Sequence, residues 1–366
     1  MSVSYGGSSI TFEDGSIVSS GSQGFKNKII NGAMMIDQRN AGAALTSSSG
    51  YGVDRFYFSK FATDELAWSI QQDTSAPAGF INSQKVTITT AETSLTTNEN
   101  VTLGQVIEGL NIADLNWGTA NAKTVTLSFW VRSSLTGTFG GALFNSAANR
   151  FYPFSYTILA ANTWEYETIT ITGDTSGTWL TTNGAGIYVQ WGLGQGPDRL
   201  GTAGAWTASN NQGVTGQVQL ASNLNATWQI TGVQLEKGTT ASSFEFRTYT
   251  KELMLCQRYY AKISGGGFSN FAAFAVGFCS NSTTIEGIIN YPVTMRAAAT
   301  LSFSNVRTNT ATGTNTAVTS VSNSYAGTNS MNAVFVSSGS SITQGQAGSI
   351  IGNSNSSAYV DLSAEL

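Results

Sequence analysis

Glu165 and Glu167 are the acidic side chains whose spacing best suits a chemical reaction. They stand two residues apart in a segment with the alternation of a β-strand, so both carboxylates face the same way, ~7 Å apart. A pair of carboxyl groups at such a separation is what glycoside hydrolysis requires. Exposed strands also carry such pairs for solubility, so a polysaccharide depolymerase ranks as the second alternative, below the two non-catalytic functions considered at the end of this section.

Histidine is absent from the sequence. Ser-His-Asp triads, Cys-His dyads and His-ligated zinc are therefore excluded, and we expect the protein not to be an enzyme. Asp14, Asp54, Asp174 and Asp198 could supply carboxylates for calcium, but they lack the fixed spacing of a calcium-binding loop. No cofactor is expected, and calcium stays open without a motif that supports it.

Aromatic side chains on strand faces give a second kind of candidate site. Sugar binding on a β-sheet needs exposed flat rings, with amides or charges beside them for the hydroxyls. Trp130 and Arg132 lie opposite the core-facing residues of their segment, and Tyr188 and Gln190 alternate in the same way with apolar neighbours. These four residues are the candidate glycan-binding set, predicted to line one open face. A face that packs against another protomer or a covering loop is at least as good an interpretation.

The composition indicates an all-β protein. Charged residues make up 10% of the 366 residues, whereas apolar residues make up 41% and aromatic residues 11%. The surface must then consist of Ser, Thr, Asn, Gln and Gly, and 40 glycines suit many short strands joined by tight turns. A net charge of -4 provides no basic field for a phosphate backbone, so nucleic-acid binding is not expected.

The chain length and the side-chain alternation predict three parts. Residues 1–28 form a low-complexity arm with one short strand at 9–12. Residues 29–250 form a jelly-roll β-sandwich, and residues 251–366 form a second, smaller β-sandwich. The clearest strands of the first sandwich are 84–90, 100–108, 123–132, 164–172, 186–192 and 226–235.

A change of pattern near residues 250–260 marks the boundary between the two sandwiches. Good helix formers follow Thr250 there, which predicts a short helix capped by that residue. Strands of the second sandwich are predicted at 268–279, 284–291, 300–303, 333–336 and 358–362, with loops over 307–332. Cys256 and Cys279 lie in apolar stretches and are predicted to be buried thiols.

The sequence gives no sign of a membrane segment. The first nine residues are polar, unlike a signal peptide, and no run of about 18 apolar residues occurs. We therefore expect no membrane insertion, and folding in a cytoplasm.

Several segments, in order along the chain, resemble a domain common in bacteriophage tail-fibre proteins. They are residues 27–32 (NKIING), 50–56 (GYGVDRF), 125–134 (VTLSFWVRSS), 163–166 (TWEY), 173–179 (GDTSGTW) and 230–236 (ITGVQLE). Residues 255–260 (LCQRYY) and 291–298 (YPVTMRAA) are similar to the segments that follow that domain. The strand order also resembles jelly-roll carbohydrate-binding modules. Thr231, Gly232 and Val233 stand where those modules often carry paired acidic residues near calcium.

The resemblance implies a non-catalytic virion structural protein, a short tail fibre that attaches to a host-surface glycan or protein. It also implies a homotrimer, with residues 1–28 joining other virion proteins, assembled in the cytoplasm of the host bacterium. The alternative is a capsid or tail decoration protein with a structural role.

Overall fold

The chain folds into antiparallel β-sheets, as the composition and the alternation predict. The structure, a computed structural model, describes residues 4–6, 9–11, 17–19, 25–61, 65–265, 269–310, 315–339 and 342–366. These residues form two compact units. The first unit comprises the described residues of Met1–Met34, Thr46–Ser49 and Phe58–Arg247, and the second comprises those of Met35–Leu45, Gly50–Tyr57 and Thr248–Leu366.

This division differs from the predicted domain 29–250 mainly in two segments, and the first unit ends at Arg247. Met35–Leu45 and Gly50–Tyr57 belong to the second unit. The reason is that side chains from both segments bind residues near the C-terminus: Arg39 and Arg55 each pair with Glu365. Sequence position alone does not reveal such a long-range pairing.

Three short antiparallel strands occupy the predicted N-terminal arm: β1 (Ser4–Gly6), β2 (Ser9–Thr11) and β3 (Ile17–Ser19). The predicted strand 9–12 corresponds to β2, and residue 12 lies outside the described residues. Residues 26–28, assigned to the arm from sequence, are bonded within the first unit. Asn27 Nδ2 donates to the carbonyl of Val233 (3.0 Å), and Lys28 Nζ lies 2.6 Å from Asp114 Oδ1.

Thirteen strands follow along the described part of the chain, and most of them build the first sandwich. They are β4 (Ser49–Val53), β5 (Phe56–Phe61), β6 (Ala67–Asp73), β7 (Ser83–Thr90), β8 (Asn100–Glu108), β9 (Val125–Ser133), β10 (Gly137–Phe144), β11 (Phe151–Ile158), β12 (Glu165–Ile171), β13 (Ala185–Gln195), β14 (Leu200–Gly201), β15 (Gly213–Val214) and β16 (Thr227–Lys237). Short 3-10 turns occur at Gly109–Asn111, Ala113–Leu115, Pro197–Arg199 and Leu220–Ser222. All six predicted strands are confirmed, with ends shifted by at most three residues.

Two sheets form the first sandwich, with strand orders β11-β10-β13-β8-β5-β4 and β12-β9-β16-β7-β6. Their inner faces meet in an aromatic core. Phe129 on β9 lies 5.3 Å from Trp191 on β13, measured between ring centroids, and Trp191 lies 6.3 Å from Trp228 on β16. Alternation along β9 puts Val125, Leu127, Phe129 and Val131 in this core and turns the intervening residues outward.

From Thr248 onward the second unit consists of helix α1 (Tyr249–Gln257) and a series of β-strands. They are β17 (Tyr260–Ser264), β18 (Ala273–Cys279), β19 (Thr284–Asn290), β20 (Thr300–Ser304), β21 (Val306–Thr310), β22 (Val318–Ala326), β23 (Ser330–Ser337), β24 (Ala347–Gly352) and β25 (Tyr359–Ser363). They form a three-stranded sheet, β17-β25-β20, and a six-stranded sheet, β21-β24-β18-β19-β23-β22. Fully buried residues from both sheets, including Ile285, Phe335 and Val360, share one core.

Two details of the second unit differ from the sequence predictions, and one matches them. The residue before the helix is Thr248, two residues earlier than predicted, and its side chain makes no capping hydrogen bond. Strands β21 and β22 lie where loops were predicted. Both are edge strands rich in Thr, Asn and Ser, and these residues are also typical of loops. Cys256 and Cys279 are free and buried, as predicted. Within the described part of the chain, no helix is long and apolar enough to cross a membrane.

Candidate functional site

The four residues of the candidate glycan-binding set lie on two different sheets. Trp130 and Arg132 are on β9, in the five-stranded sheet, whereas Tyr188 and Gln190 are on β13, in the six-stranded sheet. All four point away from the core, as alternation predicts. The hypothesis of a single open face is nevertheless wrong, because strand order decides which strands share a sheet and alternation does not contain it.

Tyr188 and Gln190 are occupied by contacts within the chain. The Tyr188 ring stacks on Phe144, with 4.6 Å between centroids and 7° between planes, and Phe144 stacks in turn on Phe151. Gln190 is buried, and its Nε2 donates to Gln212 Oε1 (2.9 Å) in the segment between β14 and β15. The alternative interpretation, a face covered by a loop, therefore describes Gln190 well.

Trp130 has an aromatic partner that strand pairing supplies. Tyr166 on β12 lies directly opposite it, and the two ring centroids are 5.3 Å apart with 46° between the ring planes. Both side chains face away from the core, and Tyr166 is exposed. Within the described residues neither the Trp130 indole N–H nor the Tyr166 hydroxyl has a hydrogen-bond partner. Both polar groups are thus available to a ligand that lies on the rings.

A pocket of about 410 Å³ opens over this pair of rings. Ser128, Trp130 and Tyr166 come from the sheet, and Phe80, Gly232 and the segment 241–244 complete the lining. Phe80 and Phe244 stand 5.1 Å apart in an edge contact. The site therefore combines four aromatic rings with serine hydroxyls, and its volume is in the range of small-ligand pockets.

Gly232 allows the rings to approach one another. It lies at an irregularity in the pairing of β16 with β9, with φ at 62°. A Cβ at this position would lie 2.8 Å from Phe80 Cζ and 3.0 Å from Trp130 Cδ1. Glycine is thus required both by the left-handed backbone and by the space between the two rings.

Gly232→Ala is expected to destabilise the first unit by about 1 kcal/mol more than Gly204→Ala. Both glycines have positive φ, but a Cβ at Gly204 would meet no atom within 4 Å, whereas one at Gly232 would meet two rings. All eight tryptophans lie in the first unit, so urea unfolding followed by tryptophan emission measures the difference. Equal destabilisation by the two variants would contradict the close packing at Gly232.

Arg132 is fixed on the same face, two residues along β9 from Trp130. Its Nε donates to the carbonyl of Asn162 (2.8 Å), and its Nη1 donates to the Ser75 hydroxyl (3.2 Å) and to Gln229 Oε1 (2.9 Å). It contacts no carboxylate among the residues that the structure describes. Arg132 does not line the pocket, so the structure brings it beside the site but not into it.

The lining of the pocket carries no Lys, Arg, Asp or Glu. The charges behind its rim are joined through one serine: Lys26 Nζ donates to the Ser242 hydroxyl, which donates to Glu236, each over 2.6 Å. These charges are therefore satisfied within the chain. A carboxylate placed in the pocket would lose hydration without gaining an ionic partner, whereas neutral hydroxyl groups would not.

Glu165 and Glu167 share one face of β12, as predicted, but it is the opposite face from the pocket. They pair with Val131 and Phe129, which are buried core residues. The Glu165 carboxylate accepts the backbone N–H groups of Leu159 (3.0 Å) and Ala160 (2.8 Å). Burial, and secondly the charge of Glu165, raise the pKa of Glu167. The Glu165 carboxylate thus stabilises the turn at Leu159 and Ala160, and neither glutamate lies beside Trp130.

The aspartates considered for calcium do not gather. Asp174 forms a double hydrogen bond with Arg150, over 2.7 Å at each oxygen, and Asp54 lies in the second unit beside Arg39. Asp198 is in the turn Pro197–Arg199, and Asp14 is outside the described residues. The described part of the chain contains no group of three acidic or cysteine side chains placed to hold a metal ion.

Sequence reasoning found Trp130 but missed Tyr166, Phe80 and Phe244. Tyr166 alternates with Thr168 and Thr170 on the outward face of β12, and this pattern is readable in the sequence. Its position opposite Trp130 depends on the pairing of β12 with β9. Phe80 and Phe244 come from loops, where no alternation indicates which way a ring points.

Comparisons with known proteins give matches among solved structures. No family model and no curated protein matches the chain. The chain is similar to the enzymatically active domain of tailspike protein 4 of bacteriophage CBA120, with 12% identity, a TM-score of 0.32, and coverage of 58% of this chain and 21% of that chain. It is also similar to a family 11 carbohydrate-binding module of a cellulosomal cellulase of Clostridium thermocellum, with 12% identity, a TM-score of 0.27, and coverage of 55% and 99%. The chain therefore spans about a fifth of the tailspike chain that it matches.

Proposed function

We propose that the protein is a non-catalytic bacteriophage virion protein, a short tail fibre that attaches to a neutral glycan of the host surface through the Trp130–Tyr166 pocket. It acts as a homotrimer, residues 1–28 join it to other virion proteins, and it assembles in the host cytoplasm. The observation that carries the glycan site is the pair of adjacent outward rings, 5.3 Å apart, in an uncharged pocket. The virion role draws its support from the resemblance of the ordered segments between residues 27 and 298.

Aromatic rings suit saccharides because the apolar C–H face of a pyranose can lie on a ring while its hydroxyls form hydrogen bonds around it. The Ser128 and Ser243 hydroxyls, the Trp130 indole N–H and the Tyr166 hydroxyl can supply those bonds. A single such pocket binds weakly. Three copies in a trimer, and many trimers on a particle, raise the effective affinity without any new contact.

Tyr166→Ala is expected to weaken binding to the host glycan about tenfold, because one stacked ring contributes ~1.5 kcal/mol. Calorimetric titration of the full chain with oligosaccharides from host lipopolysaccharide or capsule measures the change. The matched control is Tyr249→Ala, which removes a tyrosine that is 56% exposed on the helix Tyr249–Gln257 of the second unit. Equal binding by both variants would place the glycan elsewhere.

The same titrations test the other parts of the proposal. Neutral sugars are expected to displace the bound glycan at lower concentrations than the corresponding uronic acids. Incubation with the intact polysaccharide is expected to release no oligosaccharide. Sustained release would contradict the non-catalytic role and turn attention to Glu165 and Glu167.

A further inference from the structure

The six-stranded sheet of the second unit carries apolar side chains on both faces. Its inner face packs into the core through residues such as Ile285, Phe335 and Ile350, which are fully buried. On its outer face Val276 is 69% exposed, Phe278 52% and Ile288 61%. An antiparallel sheet that faces water normally alternates apolar residues inward with polar residues outward. The outer face of this sheet departs from that pattern.

The exposed apolar residues are neighbours in the sheet. Val276 on β18 lies opposite Ile288 on β19, and Phe278 lies opposite Ala347 on β24. Half-exposed Val334 on β23 lies on the same face. It is opposite Glu286 on β19, which in turn is opposite Phe278 on β18. We call the outward side chains of β18, β19, β21, β22, β23 and β24 the outer face. A contiguous apolar surface of this kind marks an interaction site.

The outer face carries two charges of opposite sign. Glu286 and Arg307 are the charged residues of its six strands. Glu286 accepts a hydrogen bond from Asn332 Nδ2 (3.2 Å), and the Arg307 guanidinium lies 5.1 Å from the Phe271 ring centroid. Neither forms an ion pair among the described residues. They stand on β19 and β21, three strand spacings apart across the sheet and four residues apart along it, which is roughly 20 Å.

We propose that the outer face is where copies of this chain meet, with Arg307 of one copy beside Glu286 of the next. A second copy fits because the face has no net charge and its two charges lie at different places, so the part around Arg307 of one copy can meet the part around Glu286 of the next around a threefold axis. Six strands at ~4.8 Å spacing and about six residues at ~3.3 Å each cover roughly 570 Å² in projection, a surface that each copy shares between its two neighbours in a trimer. The proposal rests on the homotrimer proposed above and names the surface that forms it.

Charge reversal tests the pairing directly. Sedimentation equilibrium of the full chain is expected to give three times the chain mass of 38.5 kDa. Glu286→Arg and Arg307→Glu, taken singly, are each expected to raise the dissociation constant at least tenfold, since like charges then face each other. The double variant restores the opposite-charge pair and is expected to recover the wild-type mass. Asp198→Arg, an exposed charge reversal in the first unit, is the control that keeps the wild-type mass.

Folding of each variant is checked with the buried Cys279 thiol on β18, which stays unreactive while the sheet is intact. If a charge variant fails this check, Val276→Thr with Ile288→Thr replaces it, because threonine keeps the β-branched shape and removes apolar surface. Wild-type mass in the folded single variants, or no recovery in the double variant, overturns the proposed face and leaves the homotrimer standing. A monomeric wild-type protein overturns both, and the glycan titrations remain a separate test of the pocket.

Discussion

Arg55→Ala is expected to lower the free energy of unfolding of the second unit by about 3 kcal/mol, because it leaves a largely buried carboxylate with only one of its two arginine partners. The Arg55 side chain is 2% exposed and forms an ion pair with Glu365, the penultimate residue of the chain. Its guanidinium also lies 3.6 Å from the centroid of the Tyr259 ring. Removal of the side chain therefore breaks an ion pair and a cation–π contact together.

Glu365 is the centre of the cluster because it pairs with a second arginine as well. Arg39 Nη2 lies 2.9 Å from its other oxygen, and the Arg39 guanidinium lies 3.6 Å from the Tyr260 ring centroid. The C-terminal end of the chain is held further by Arg296, which donates to the carbonyls of Ala364 (2.8 Å) and Glu365 (2.7 Å). Two segments far apart in sequence, 35–57 and 259–365, are thus joined by one buried cluster.

The distribution of cysteine and tryptophan makes this measurement selective. Both cysteines lie in the second unit and all eight tryptophans lie in the first. Pulse labelling of thiols in a urea series therefore follows unfolding of the second unit, while tryptophan emission follows the first. The labelling midpoint of Arg55→Ala is expected at lower urea than that of the wild type.

A double variant separates the orphaned charge from lost packing. Arg55→Met with Glu365→Gln removes both charges and keeps most of the side-chain volume, so it is expected to be more stable than Arg55→Ala. Arg39 retains Asp54 and its aromatic neighbours in that variant. A double variant as unstable as Arg55→Ala would mean that the cation–π contact of Arg55 with Tyr259, and not the ion pair, is what Arg55 contributes.

Side-chain alternation predicts the strands of the first sandwich because each has one buried face. On β9, Phe129 and Val131 are fully buried, while Trp130 between them is half-exposed. The same signal fails on the edge strand β22, because two irregularities in its pairing break the alternation of Val318, Val321 and Ala326, and the other residues are mostly Ser, Thr and Asn. Strand prediction from sequence is therefore most secure where a strand contributes to a core.

Alternation also predicts which way a side chain points, but not what lies beside it. It places Trp130 and Tyr188 outward, and both do point away from the core. Tyr188 then stacks on Phe144 from a neighbouring strand, whereas Trp130 faces Tyr166 across an open pocket. Strand order decides between these outcomes, and a single sequence does not contain it.

Two segments that carry the resemblance to tail-fibre proteins have a structural role in the second unit. Residues 50–56 supply Tyr51, Asp54 and Arg55, and residues 255–260 supply Tyr259 and Tyr260. The guanidinium of Arg55 lies on Tyr259, and that of Arg39 lies between Tyr51 and Tyr260. These motifs thus encode the buried cluster. The segments 125–134 and 163–166, in contrast, supply Trp130 and Tyr166 to the pocket.

Asp54 gives the second unit a dependence on pH that the sequence does not predict. Burial raises its pKa from 3.8 to about 6, although Arg39 and a hydrogen bond from Gln38 act in the opposite direction. Glu365 and Asp37 raise it further by their negative charge. The folded chain therefore holds the proton of Asp54 at pH values where the unfolded chain has released it.

The second unit is accordingly expected to lose stability as the pH rises from about 4 to about 6, by up to ~3 kcal/mol from this residue, and to change little from it above that range. The sign follows from proton binding, since the folded state binds more protons than the unfolded state within this window. Urea unfolding at pH 4 and pH 7 measures the change. Far-UV circular dichroism reports both units and tryptophan emission reports the first, so the difference between them isolates the second.

Asp54→Asn is expected to remove this share of the pH dependence, because the amide does not titrate and can still accept a hydrogen bond from Gln38. Asp37→Asn is the matched control. Burial also raises the pKa of Asp37, so Asp37→Asn is expected to lose only the part of the pH dependence that Asp37 contributes. A slope in Asp54→Asn equal to that of the wild type would show that Asp54 is ionised throughout the window. The Arg39 ion pair would then outweigh the cost of burying the charge.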